Sequence, residues 1–274
     1  MLSNVLVDKV SPPTSPDNSR PSSPNPMLEN RHTAQAKRRK FMRRIFKFQQ
    51  MDFEFAMWQM FYLLFAPQKV YRNFHYRKYT KDQWARDDPA FLVLLSICLC
   101  ASSVGFAIVL RLGFIGFLKF LLWVVFVDCI GVGLIMATSL WLISNKYMQE
   151  SSKQSQQVEW AFAFDVHLNA FFPLLIVLHV VQLLLYIPLI DYEDSYPACI
   201  FGNTLWLLAI GYYIYITFLG YSALPFLRRT IILLYPPFLV LVTCYLFTVI
   251  FKWNISRQVM CFYEYRVLHE HSCK

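Results

Sequence analysis

The chain has 274 residues, 57% of them apolar and 18% aromatic, and a net charge of +9, with a mean hydropathy of +0.39. Soluble domains average about 45–50% apolar residues, so this composition excludes an ordinary water-soluble enzyme or binding domain and points to a membrane protein. The charge excess points to negatively charged partners, either an anionic lipid surface or a nucleic acid.

Residues 1–33 form a tip rich in Pro, Ser and Asn, with Ser-Pro pairs at Ser11, Ser15 and Ser23. Such a stretch buries too little apolar area to offset its ordering entropy, so it reads as a disordered cytosolic segment. It has no uninterrupted apolar core of the secretory-signal kind, which leaves the first span to act as the insertion signal. Residues 34–89 form a basic, aromatic arm. Lys37, Arg38, Arg39, Lys40, Arg43, Arg44 and Lys47 interleave with Phe41, Ile45 and Phe48, apolar positions that share one face of a helix. This pattern predicts a basic amphipathic interfacial helix, with about 1 kcal/mol per basic residue near an anionic surface. The same side chains suit RNA phosphates, although no RNA-binding fold signature accompanies them. Phe53 to Ala66 is too short to cross a bilayer and carries Glu54 and Gln59, so it is expected in the interface or against the bundle, ending at Pro67.

Five apolar stretches follow: 90–110, 120–143, 170–190, 199–220 and 230–251. Each is near the roughly 20 residues needed to span a hydrocarbon core. The expected fold is an all-α integral membrane protein with a bundle of five transmembrane helices, followed by a short tail, 252–274. Residues 1–89 hold 16 of the 26 basic residues, which places the N-terminus in the cytosol. Alternation then puts Gln149 to Gln157 and the Arg228-Arg229 turn on the cytosolic side. Arg111 to Lys119, the acidic run Asp191 to Asp194 and the tail fall in the lumen. The Asn254-Ile255-Ser256 sequon would report lumenal exposure if it were glycosylated. Cys98, Cys100, Cys129 and Cys244 lie in spans, Cys199 at a boundary and Cys261 and Cys273 in the tail. That placement is not the spacing of a disulfide framework.

Ionisable and polar groups inside spans face the bundle and find partners. Asp128 in the second span with His179 and Gln182 in the third are therefore candidates for an intramembrane polar contact. An Asp128 to His179 pair would act either as a proton or ion relay in a small transporter or as a hydrogen bond locking helices. No second acidic pair supports the relay. Asp165, His167 and Asn169 alternate before the third span, yet no HExxH, nucleophile elbow, phosphate loop or dinucleotide fingerprint is present. No catalytic residue, metal or cofactor is nominated. Gly131, Gly133, Gly202 and Gly211 permit close helix approach, and Pro173, Pro188, Pro225, Pro236 and Pro237 bend or end helices.

Several blocks resemble the uncoordinated-fifty family of Golgi and endoplasmic reticulum membrane proteins. They are MDFEFA from Met51, YRNFHYRK from Tyr71, TKDQWARDDPAF from Thr80, WAFAFDVHLNA from Trp160, GNTLW from Gly202 and GYYIYITFLGYSALPF from Gly211. The similarity covers residues 31–267. It implies a non-enzymatic trafficking factor of early secretory membranes that supports vesicle transport and surface expression of nicotinic acetylcholine receptors. It further implies links to exchange factors for Arf GTPases, or, for a mammalian relative, RNA binding at the inner nuclear membrane. The expected function is accordingly cytosolic docking of Arf-exchange or coat machinery by residues 34–89, with receptor cargo as a further partner.

Overall fold

The computed structural model describes residues 51–73, 86, 88–149, 157–191 and 195–268, and every described helix belongs to one bundle. The basic run Lys37 to Lys47 lies outside these residues, as do the tip and His269 to His271. Helix α1, Phe53–Phe65, starts where the Asp52 carboxylate accepts from the Phe55 N–H at 2.9 Å and Glu54 occupies the first turn. Both features satisfy or complement the orphan amides there. It packs on the bundle through Ala56, Gln59, Met60 and Leu63 and turns Met57, Phe61 and Phe65 outward. The backbone breaks at Ala66, and residues 67–73 resume as a second helical segment.

Five helices are long and apolar enough to cross a membrane: α2, Ala90–Val109; α3, Phe114–Tyr147; α4, Trp160–Ile190; α5, Tyr196–Ser222; and α6, Thr230–Ile250, which opens with a 3-10 turn. All five expected stretches are recovered. The inner two are longer than expected, 34 and 31 residues, or about 51 and 46 Å at 1.5 Å per residue. Against a core of about 30 Å they overhang the bilayer by several turns. The expected Arg111 to Lys119 turn shrinks to a few residues because α3 begins at Phe114. Asp165, His167 and Asn169 are helical rather than preceding the helix. Hydropathy ends where polar residues begin, whereas backbone hydrogen bonding does not.

Three π-helical windows interrupt these rods: Val124–Gly131, Ile176–Val181 and Tyr186–Ile190. Proline, which removes an amide donor and crowds the preceding turn, stands in or beside two of them. Pro173 sits just before the second window and Pro188 inside the third. Neither proline ends its helix.

The bundle has two defined ends. At the first, the Asp88 carboxylate accepts from the Asp52 and Ala90 N–H groups at 2.7 and 3.1 Å, joining the starts of α1 and α2. Here also Asn145 pairs with both backbone groups of Val158, and the Arg228 N–H donates to the Met148 carbonyl at 2.8 Å. The expected cytosolic loops thus share one end with the arm. At the opposite end the expected short tail is a packed helix, α7, Ile255–Leu268, capped by the Asn254 side chain, which accepts from Arg257 N–H at 3.2 Å. Ser256 is fully buried and donates to the Gly202 carbonyl at 3.1 Å. Cys261 in this helix is disulfide-bonded. Helix α4 is the most buried of the spanning helices and α6 the least, lying almost entirely outside the packed core.

Candidate functional site

Polar side chains from five segments meet at the arm end of the bundle. Asn169 on α4 accepts from the Gln59 amide of α1 at 3.0 Å and from the Arg86 guanidinium at 2.6 Å. One turn earlier, Asp165 accepts from the Arg86 backbone N–H at 2.5 Å. The i, i+4 spacing puts Asp165 and Asn169 on one face, and Arg86 spans both while its guanidinium lies 4.0 Å from the Phe91 ring centre. Tyr71 is buried with its hydroxyl facing the Asn169 amide, and burial pushes its phenol well above the ordinary tyrosine range. Two further bonds fix the amino-terminal segments to α5: Tyr212 donates to the Leu63 and Leu64 carbonyls at 2.9 Å, and Gln68 donates to the Tyr215 hydroxyl at 2.8 Å.

His167 faces away from this platform. Its Nε2 lies 3.1 Å from the Cys129 carbonyl, inside the first π window, and its Nδ1 lies 2.8 Å from the Tyr213 hydroxyl. A carbonyl only accepts, so Nε2 carries the proton and Nδ1 accepts from Tyr213. Both ring nitrogens are thereby committed. Asp165, His167 and Asn169 do not converge on a common point, and among the described residues no group of three His, Cys, Asp or Glu is arranged to hold a metal ion.

The structure separates the expected Asp128 to His179 pair. Asp128 accepts from the Tyr263 hydroxyl of α7 at 2.9 Å, whereas His179 lies 3.3 Å from the Ser102 hydroxyl. Ser102 already donates to the Leu99 carbonyl at 3.0 Å, so His179 Nδ1 is the donor to it. The Phe106 ring packs on both His179 and Tyr263, at 5.0 and 6.1 Å between centres, which leaves aromatic rings between the two ionisable groups. Gln182 is buried elsewhere on α4, its Oε1 without a partner among the described residues. Burial, and then the Asp128 carboxylate, push the Tyr263 phenol far above its usual range, so it stays a donor. Replacing Asp128 with Asn preserves an acceptor and is expected to leave thermal unfolding in detergent within about 1 kcal/mol. Asp128→Leu strands the Tyr263 hydroxyl and costs about 1–3 kcal/mol.

A second polar knot closes the opposite end. Asn203 on α5, almost fully buried, donates to the Trp253 carbonyl at 2.9 Å and to Thr248 at 3.2 Å, while its carbonyl accepts from Ile255 N–H at 2.9 Å. One side chain therefore fixes the end of α6 and the start of α7.

Arg86, Tyr71, Tyr213 and Asn203 were not singled out from the sequence. All four stand inside blocks that carry the family resemblance, Arg86, Tyr71 and Tyr213 bonding to or facing side chains of the WAFAFDVHLNA block and Asn203 lying at the opposite end. Residues 41–264 match the model of the UNC-50 family. The chain is 59% identical to "Protein unc-50 homolog B" of Xenopus laevis, over 93% of this chain and 96% of that protein. It is 60% identical to "Protein unc-50 homolog" of Homo sapiens, over 86% and 91%, and 53% identical to the Drosophila melanogaster protein of that name, over 86% and 84%. No solved structure matches.

Proposed function

Because the chain belongs to the UNC-50 family, we propose that it is a trafficking factor of Golgi and endoplasmic reticulum membranes whose arm, residues 34–89, docks cytosolic machinery. In this reading the arm end of the bundle faces the cytosol. The basic run Lys37 to Lys47 holds anionic lipid and recruits Arf-exchange or coat proteins, and the bundle supplies residence and contact with receptor cargo. The observation that carries it is the clamp of Arg86 on Asp165 and Asn169, a purchase for the base of the arm on the membrane domain. A docking element needs such an anchorage, because a surface tethered only by a loose chain transmits no geometry to the bundle.

Changing Arg38, Arg39, Arg43 and Arg44 together to Gln removes four charges of the run while leaving every span intact. Co-flotation of the reconstituted full chain with an Arf exchange factor on vesicles containing phosphatidylserine is expected to fall at least tenfold, given about 1 kcal/mol per basic residue. Carbonate-resistant insertion of the variant should match the parent. Undiminished recruitment would remove the docking role.

A further inference from the structure

At the end of the bundle opposite the arm, a polar cavity of about 250 Å³ opens between the start of α5 and the turn joining α6 to α7. Its walls include Ser195, Tyr196, Lys252, Trp253, Arg257 and Gln258. No carboxylate is among the described lining residues. The Ser195 hydroxyl does not cap α5 although it stands at the N-cap position, and with Pro197 lacking an N–H the helix start there offers the Tyr196 and Ala198 amides and the positive end of its dipole. Tyr196 steadies Lys252, whose ammonium lies 5.9 Å from the ring centre. Around the mouth, Phe251 and Ile250 are exposed apolar side chains at the end of a membrane-crossing helix, beside the exposed indole of Trp253. The cavity therefore sits at the boundary where lipid headgroups lie.

Lys252 is also held at φ 54°, in the left-handed region. The helix end around it is a Schellman motif, with Trp253 N–H donating to the Thr248 carbonyl at 2.7 Å and Lys252 N–H to the Val249 carbonyl at 3.2 Å. Glycine is the usual residue at that position because it has no Cβ to crowd the backbone. A lysine there makes sense where its charge is needed at the place its backbone is strained.

We propose that this cavity binds a phosphate-bearing anion and that its occupant is the headgroup of an anionic phospholipid in the adjoining leaflet. Lys252 is the principal contact. Ser195 and the Tyr196 amide at the start of α5 donate to the phosphate oxygens. The apolar rim then receives the upper part of the acyl chains.

The test is native mass spectrometry of the full chain in mild detergent with equal phosphatidylserine and phosphatidylcholine. The parent should retain phosphatidylserine preferentially. Lys252→Gly should reduce that retention about fivefold, the factor carried by one basic residue beside an anionic group, while its thermal stability stays level or rises because the backbone strain is relieved. Lys252→Arg should retain binding. Addition of millimolar inorganic phosphate separates the sources: unchanged lipid retention assigns the headgroup, whereas displacement assigns the same pocket to a soluble phosphate and overturns the lipid. Retention indifferent to Lys252→Gly overturns the site altogether.

Discussion

Gly133→Ala is expected to destabilise the membrane domain by about 2–3 kcal/mol, even though intrinsic helix propensity favours Ala over Gly by about 1 kcal/mol. The sign turns on His167. A Cβ at position 133 would stand 2.6 Å from His167 Cδ2 and 2.7 Å from its Nε2, with Phe164 Cε2 at 3.0 Å. The imidazole cannot swing aside, because one nitrogen donates to the Cys129 carbonyl and the other accepts from Tyr213. Either α3 and α4 move apart or a buried ring loses two hydrogen bonds, at about 1 kcal/mol or more each. Gly211→Ala is the matched control: its Cβ would meet Phe238 at 3.4 Å, an ordinary contact, so propensity should prevail and leave stability unchanged or slightly higher. Thermal unfolding of both variants in one detergent decides the matter. Equal midpoints for the two would show that the α3–α4 seam is looser than these distances require.

The contrast between those two glycines shows what the sequence makes legible. Small residues in apolar runs mark close approach, but nothing in the run GVGLIM says that Gly133 faces a histidine 34 positions later. The spans were legible because hydropathy sums over about 20 neighbours and tolerates single exceptions. Their ends were not. Lys119 and the Asp165, His167, Asn169 series lower the local average, yet each is helical and partnered or tolerated at the margin of the bilayer. Helix α7 was hidden for a similar reason, since Arg257, Glu264 and Arg266 dilute its apolar face and Arg266 covers Trp123 at 4.4 Å instead of pairing locally. Asp128 and His179 stand out in the sequence as ionisable side chains within apolar runs, but their partners, Tyr263 and Ser102, are 135 and 77 positions away. Pair identity at such separation is set by helix order in the bundle, which composition does not encode. The i, i+4 pair Asp165 and Asn169 was the one local signal of the arm-end platform, and it read first as an alternating series ahead of the helix.

Arg86→Ala should release the arm while the bundle stays inserted. The side chain donates to Asn169 at 2.6 Å and packs on Phe91 at 4.0 Å; the backbone bond to Asp165 survives the substitution. Loss of a charge-assisted hydrogen bond costs about 1.5–3 kcal/mol and loss of the cation–π contact about 0.5–1 kcal/mol. At a half-buried site the lower figures apply, so about 2 kcal/mol is expected locally, too little to unfold five spans but enough to raise the opened population of the clamp by about thirtyfold. Arg86→Lys keeps the charge without the planar fork or the stacking and should fall between. Limited proteolysis within residues 74–85, measured on the full chain in nanodiscs, should be slowest for the parent, faster for Arg86→Lys and fastest for Arg86→Ala. If the arm must be seated on the bundle to present its docking surface, exchange-factor recruitment falls in the same order although Arg38, Arg39, Arg43 and Arg44 are intact. Faster cleavage with undiminished recruitment would make the clamp purely structural and confine docking to the basic run, because a tethered but unseated arm would then dock as well as a seated one.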